Sequence, residues 1–243
     1  MKKLVFRTFH GLSIIFCLIG NLYAQNMAEI KNSLSIKQQS IIPIAAYCAK
    51  GDLQKLKPAL NEGLNAGLTV NEIKEVIVHL YAYCGFPRSI RGLQTFMEVL
   101  DERKTKGIAD KKGTDATPVN TEVSKYERGK ENLEKLTGMP QPESKSGYGD
   151  FAPVIDTFLK EHLFVDIFDR DILTYAEREL VTISVLSSIG GVEPMLRSHL
   201  NICMNLGLTP KQLNEFLEII KAKVGKKEAK AAQVVLNEIL NNR

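Results

Sequence analysis

"NAGLTVNEIKEV", residues 65–76, returns 140 positions later as "NLGLTPKQLNEF", residues 205–216. Both copies carry the chemistry of one helix ending and another starting. Gly67 and Gly207 can take the left-handed conformation that closes a helix. Thr69 and Thr209 then cap the next helix, with Glu72 and Gln212 three residues on as capping-box partners. Pro210 occupies a first-turn position where its missing N–H is no loss. Apolar residues recur at i, i+3, i+4, i+7 in each copy: Ile73, Val76, Ile77 and Leu80, then Leu213, Phe216, Leu217 and Ile220. That period predicts two amphipathic helices.

Sliding the chain by the same 140 residues extends the match: Gly51 meets Gly191, Leu56 meets Leu196, Leu60 meets Leu200, Gly85 meets Gly225 and Glu98 meets Glu238. Each half also opens on a capping box, Ser35 with Gln38 and Thr174 with Glu177, at an offset of 139 that implies one inserted residue. The repeat spans 34–102 and 173–242, and each unit reads as a helix, a tight helical hairpin and a longer terminal helix. Such a unit has more apolar face than it can hide alone, so the expected fold is all-α, two helical repeats packed as an internal pseudo-dimer. A junction between duplicated helices is a natural place for a site. Residues 103–124 are polar and loop-like, 125–137 helical, 138–149 rich in breakers, and 151–164 helical ahead of the second repeat. The expected organisation is 1–24 leader, 25–102 first repeat, 103–150 linker with a short helix, and 151–243 second repeat.

The chain opens "MKKLVFRTFHGLSIIFCLIGNLYAQ", with Lys2, Lys3 and Arg7 ahead of an apolar run ending at Ala24. The pattern is that of a secretory signal peptide cut after Ala24, too short to serve as a membrane span. The expected location is periplasmic or secreted, with no stable membrane anchor after processing. Removing the leader takes three positive charges and no acid, leaving 29 basic against 28 acidic residues. No basic block is interleaved with aromatics, so nucleic acid is not an expected partner. The remaining cysteines, Cys48, Cys84 and Cys203, show no CxxC and no zinc spacing. They read either as small buried side chains or as one bridged pair and a free thiol, and no metal or other cofactor is implied.

"LFVDIFDRDILTYAERELVTISVLSSIGGVEPMLRSHLNICMNLGLT" and "GLTVNEIKEVIVHLYAYCGFPRS" resemble the carboxymuconolactone decarboxylase family, which also contains the alkylhydroperoxidase D type enzymes. The likeness covers both repeats, as in double-domain members. It implies an all-helical fold, a small-molecule substrate and a homo-oligomer. The peroxidase branch uses a CxxC pair, a His four residues after the second Cys, and an upstream Glu. His199 and Glu179 match the last two, but the Cys positions fall on Val192 and Met195. Without paired thiols, disulfide-cycling peroxidase or peroxiredoxin activity has no redox centre. The resemblance therefore favours cofactor-free acid–base chemistry, a decarboxylase-like lyase reaction on a small carboxylated or lactone-like compound.

The halves diverge in complementary ways: the second has Arg178, Glu179 and His199 where the first has Gln38, Gln39 and Ala59, and only the first has "YCGFPRS" at 83–89. A composite site would join His199 and Glu179, as catalytic residues, to Tyr83 and Arg88 of the other unit, with Arg178 and Arg88 binding a substrate carboxylate. Glu179 shares a helix stripe with Ile183 and Leu186, where desolvation would raise its pKa for acid–base work; it reads equally as a first-turn surface Glu. His199, between Leu196 and Leu200, reads as catalytic or as a hydrogen-bonded structural His. Tyr83 is a site residue or a core ring, and the arginines bind substrate or are solvated. His79 is given no role. Two alternatives remain: a thiol peroxidase, which would need Cys48, Cys84 or Cys203 to meet in space despite their spacing, and a non-catalytic helical binding or assembly protein.

Overall fold

Thr69 and Thr209 each cap a helix in extended backbone, with both capping-box hydrogen bonds formed, and Gly67 and Gly207 close the preceding helices at φ 93° and 92°. The computed structural model describes residues 32–119, 122–142 and 144–242, so the expected leader lies outside the described residues. The first repeat holds α1 (Ile36–Lys50), α2 (Leu53–Asn65), α3 (Val70–His79), the one-turn α4 (Tyr81–Cys84) and α5 (Phe86–Thr105). The connection holds α6 (Lys125–Thr137), α7 (Tyr148–Phe151), α8 (Pro153–Thr157) and a π-helical segment, Phe158–Ile167. The second repeat holds α9 (Tyr175–Ile189), α10 (Glu193–Asn205), α11 (Pro210–Ile219), a short π segment Ile220–Val224, and α12 (Lys226–Asn241). No strand occurs among the described residues, and the all-α tandem architecture is that expected from the sequence.

α1 and α9 form the centre. Residues 41–49 and 178–188 are buried without interruption, as befits helices enclosed on every side. The two helices exchange side chains between the cores: Ile42 and Ala46 of α1 enter the second repeat's cluster, while Val181 and Val185 of α9 enter the first. These pairs are related by 139 residues, the signature of a pseudo-twofold axis between the helices.

The register corrects the alignment made from sequence. α1 and α9 are each 15 residues long and are capped by Gly51 and Gly190, so Gly51 is matched by Gly190 and the inserted residue is Gly191, in the turn before α10. Both glycines of that turn have positive φ, 68° and 73°, a conformation that side-chain-bearing residues resist. In the first repeat, Arg178 is therefore matched by Gln39 and Glu179 by Ser40, one residue later than the uniform offset gave.

Burial leaves polar groups that the repeats satisfy across their junction. Arg178, with 0% exposure, donates from Nη2 to Oε1 of Glu75 on α3 at 2.8 Å and to the Arg170 carbonyl at 2.6 Å. Arg170 adds a two-pronged contact to Glu75. Half a turn of pseudosymmetry away, Gln39 donates to Glu215 of α11 at 2.9 Å; Glu215 is the repeat partner of Glu75. The same strap thus fastens each central helix to the opposite unit, with a full ion pair on one side and an amide–carboxylate bond on the other.

The connection is fixed as a third layer. Asn132 of α6 donates to the Phe164 carbonyl and to Asp169. A Cβ at Gly129 would stand 2.0 Å from the Lys160 carbonyl oxygen, so α6 meets the π segment at backbone distance. Leu163, Phe164, Ile167 and Phe168 then pack over Ile202 of α10.

Removing one partner of the buried pair should be far worse than removing its half-buried counterpart. Glu75→Ala is expected to lower unfolding free energy by about 3–5 kcal/mol, because Arg178 is left charged in the core. Glu215→Ala should cost about 1 kcal/mol. Denaturant melts of both variants test this, and equal losses would refute the asymmetry.

Candidate functional site

Glu179 is the second residue of the uninterrupted buried run of α9 and is 0% exposed. Across the hairpin, His199 on α10 turns Nδ1 to Glu179 Oε2 at 2.7 Å, with the imidazole side chain 13% exposed and the carboxylate fully enclosed. An ionised carboxylate only accepts, so it fixes the hydrogen on Nδ1 and leaves the lone pair on Nε2, which has no partner among the described residues. The other carboxylate oxygen, Oε1, is buried and also lacks a partner.

The first repeat contributes the facing wall. The Tyr83 ring of α4 meets the His199 imidazole edge-on at 5.7 Å and the His79 ring at 5.5 Å. Its hydroxyl lies buried near Thr182 without a hydrogen bond. Burial first, then the Glu179 carboxylate, push that hydroxyl far above its ordinary value, so it stays a donor. Three polar groups from two repeats thus converge, each with unused hydrogen-bonding capacity, which buried groups seldom leave idle.

Behind Tyr83 runs a closed chain. Arg178 Nη1 approaches His79 Nδ1 at 3.4 Å; since guanidinium only donates, Nδ1 accepts and Nε2 carries the hydrogen. Nε2 gives it to Thr182 Oγ1 at 2.9 Å, and Thr182 donates to the Arg178 carbonyl at 3.0 Å. Phe168 closes the back of His79, ring to ring at 5.2 Å. Burial, the Arg178 charge and His199 hold His79 well below its ordinary value, so it is neutral.

Of the residues singled out from sequence, Glu179, His199 and Tyr83 come together. Arg178 and Arg88 stand apart from these three. Arg178 is sealed in the core with Nη2 committed to Glu75 and to backbone. Arg88 lies on the outside of α5, its guanidinium over Gly51 at the end of α1. His79 was given no role, and Glu75 and Thr182 were not singled out. The signal was present: Glu75, His79 and Tyr83 follow at i, i+4, i+8, and His79 is polar where its repeat partner Ile219 is apolar. The site has no duplicate, because Ser40, Ala59, Pro43 and Lys223 occupy the pseudosymmetric positions of Glu179, His199, Thr182 and Tyr83.

The thiols stand apart from this chemistry. Cys48, Cys84 and Cys203 are all unbridged. Burial pushes Cys48 up to about 12 and Cys84 to about 11. Burial and the neighbouring Glu179 carboxylate raise Cys203 as well. Reactive thiolates require the opposite shift.

The fold and site define an all-α, internally duplicated protein with one carboxylate–imidazole pair at the repeat junction. The chain belongs to the carboxymuconolactone decarboxylase family, whose model matches residues 20–96 and 153–237. It is similar to 4-carboxymuconolactone decarboxylase of Acinetobacter baylyi, 28% identical over 119 residues, covering 49% of this chain and 88% of that enzyme.

His79 makes stability depend on acidity. A group held neutral in the folded state contributes stability above its ordinary value of about 6.5, and this is lost as pH falls, because only the unfolded chain takes up the proton. The melting temperature should drop between pH 7 and 5, and by less in His79→Gln. Equal pH slopes would count against a neutral buried His79.

Proposed function

We propose that this protein is a cofactor-free acid–base enzyme acting on a small carboxylated or lactone-like compound, decarboxylation being the favoured reaction. The observation that carries this is the 2.7 Å contact between His199 Nδ1 and the enclosed Glu179 carboxylate, which leaves Nε2 unpartnered beside Tyr83. Glu179 orients the imidazole and stabilises the imidazolium, so Nε2 can take or give a proton. In a decarboxylation, the bond from the substrate carbon to its carboxylate breaks, carbon dioxide leaves, and the electron pair passes into the adjoining lactone or carbonyl group. Nε2, carrying a proton taken from solvent before the substrate closes the site, then gives it to that carbon and returns to the neutral imidazole. The Tyr83 hydroxyl is placed to donate to an oxygen on which negative charge develops. Neither Arg178 nor Arg88 is needed, since loss of carbon dioxide requires the carboxylate to be oriented and not neutralised. Family membership and the similarity to a 4-carboxymuconolactone decarboxylase support the substrate class.

A second reading, a non-catalytic helical binding protein, draws on the closure of the site: Glu179 is wholly enclosed and His199 nearly so. Turnover of carboxylated lactones, followed by carbon dioxide release, separates the two. His199→Ala and Glu179→Gln are expected to lower kcat by about 10²–10⁴ while retaining the helical circular dichroism and melting profile. Undiminished turnover in His199→Ala would end the acid–base reading, and no turnover of any such compound by the wild type would favour the binding protein.

We further propose that residues 1–24 direct the chain to the periplasm or outside the cell. N-terminal sequencing of the exported protein should begin at Gln25; a start at Met1 would contradict cleavage.

A further inference from the structure

At the far side of the second repeat, α11, the short π segment and α12 enclose a groove of about 430 Å³, within the ~300–1,000 Å³ typical of small-molecule sites. Leu217 and Ala229, both buried, and Val234, 51% exposed, give it apolar surface. Lys221, Lys226 and Lys230 stand around it with Glu218 and Gln233. Two of these polar groups are committed. Lys221 is paired with Glu218 at 2.9 Å, and the Gln233 amide donates to Asn237 at 2.9 Å and to Asn214 at 3.4 Å. Lys226 and Lys230 are exposed and form no ion pair among the described residues. Glu228, the acid nearest to them in sequence, lies half a helical turn away and is tied to Lys50 at 2.5 Å.

The first repeat is an internal control for these positions. The offset of 140 pairs Lys221 with Tyr81, Lys226 with Phe86 and Lys230 with Ile90. Tyr81 and Phe86 lie ring on ring, centroids 4.5 Å apart and planes 17° from parallel. The shared backbone thus brings these two positions into contact range, and the first repeat fills the space between them with stacked rings. In the second repeat both are ammonium groups, which repel and cannot close over the apolar surface. Lys226 and Lys230, at i and i+4 on one face of α12, add a further like-charge pair that by itself disfavours the helix. Three lysines against Glu218 leave two net positive charges around the groove. A basic face meant only for water needs no apolar floor, and charge complementarity asks for an anion with an apolar body. We propose that this groove binds a small amphiphilic anion, its carboxylate or phosphate head between Lys226 and Lys230 and its body on Leu217, Ala229 and Val234. The groove shares no residue with the His199–Glu179 site, so the proposal stands independently of the acid–base reading.

Calorimetric titration of the purified protein with decanoate and with decyl phosphate, both kept below micelle-forming concentrations, tests it, with amide NMR shifts to locate the ligand. At least one of the two should bind saturably at one per chain and shift Ala229 and Val234. Decyltrimethylammonium, which has the tail and the opposite charge, and inorganic phosphate, which has no tail, should bind at least tenfold more weakly. Lys226→Ala with Lys230→Ala should weaken binding by roughly tenfold or more, the equivalent of one charge-assisted hydrogen bond. Lys221→Tyr with Lys226→Phe installs the ring pair of the first repeat and should abolish binding with unchanged circular dichroism and melting. Lys211→Ala, outside the groove, should change nothing. Failure of both anions to bind overturns the proposal, and so does equal binding of the cationic amphiphile. Binding that survives both lysine variants, or that shifts His199 in place of Ala229 and Val234, overturns the assignment to this groove. Co-sedimentation with phosphatidylcholine–phosphatidylglycerol vesicles without binding of either free anion would overturn it in favour of a membrane surface.

Discussion

The buried pair between Glu75 and Arg178 is the constraint on which the rest of the arrangement depends. A guanidinium with no exposure to water must be balanced within hydrogen-bonding reach, and its counter-charge stands on the other repeat. The second repeat therefore cannot place α9 at the centre unless α3 of the first lies against it. Once it does, the order of α3 and α4 brings His79 and Tyr83 opposite α9 and α10. The charge that joins the halves thus also builds the wall of the site, and the same guanidinium sets which nitrogen of His79 carries hydrogen.

Duplication supplied two copies of every position, and divergence made them unequal. At one side of the pseudo-twofold axis the junction carries Arg178, Glu179, Thr182 and His199; at the other it carries Gln39, Ser40, Pro43 and Ala59. The weaker strap, Gln39 with Glu215, keeps the geometry without burying a second cation. Ala59 and Ser40 leave no counterpart of the His199–Glu179 pair at their junction, so that pair occurs once per chain. The outer helices diverged in the same manner, with Phe86, Ile90 and Met97 exposed on α5 where α12 has Lys226, Lys230 and Asn237, over an identical frame of buried positions at 90–100 and 230–240.

The connecting segment, polar and broken in sequence, is structurally the roof. α6 and the π segment press Phe164 and Phe168 down over α10 and His79, and Gly129 lets the two helices approach at backbone distance. A widened helical turn in this place is consistent with the tendency of π geometry to occur beside functional groups. The enclosure of Glu179 comes from three layers and not from the two repeats alone.

The sequence by itself determined the all-α class, the two repeats, their capping boxes and closing glycines, because these rest on local periodicity and on backbone preferences that act within a few residues. It also singled out Glu179 and His199, through the family resemblance, and Tyr83, through the mismatch between copies. It inferred one inserted residue but misplaced it, by carrying the offset of 140 back through the first helix of each repeat, since a glycine added in a turn leaves no mark on helix period. It did not show that Arg178 is sealed against Glu75, and it gave His79 no role, because neither burial nor the partner of a long side chain is written in spacing. Those were decided by the tertiary structure. Whether a guanidinium meets solvent, a ligand or a carboxylate 103 residues away depends on which helices the folded core brings together.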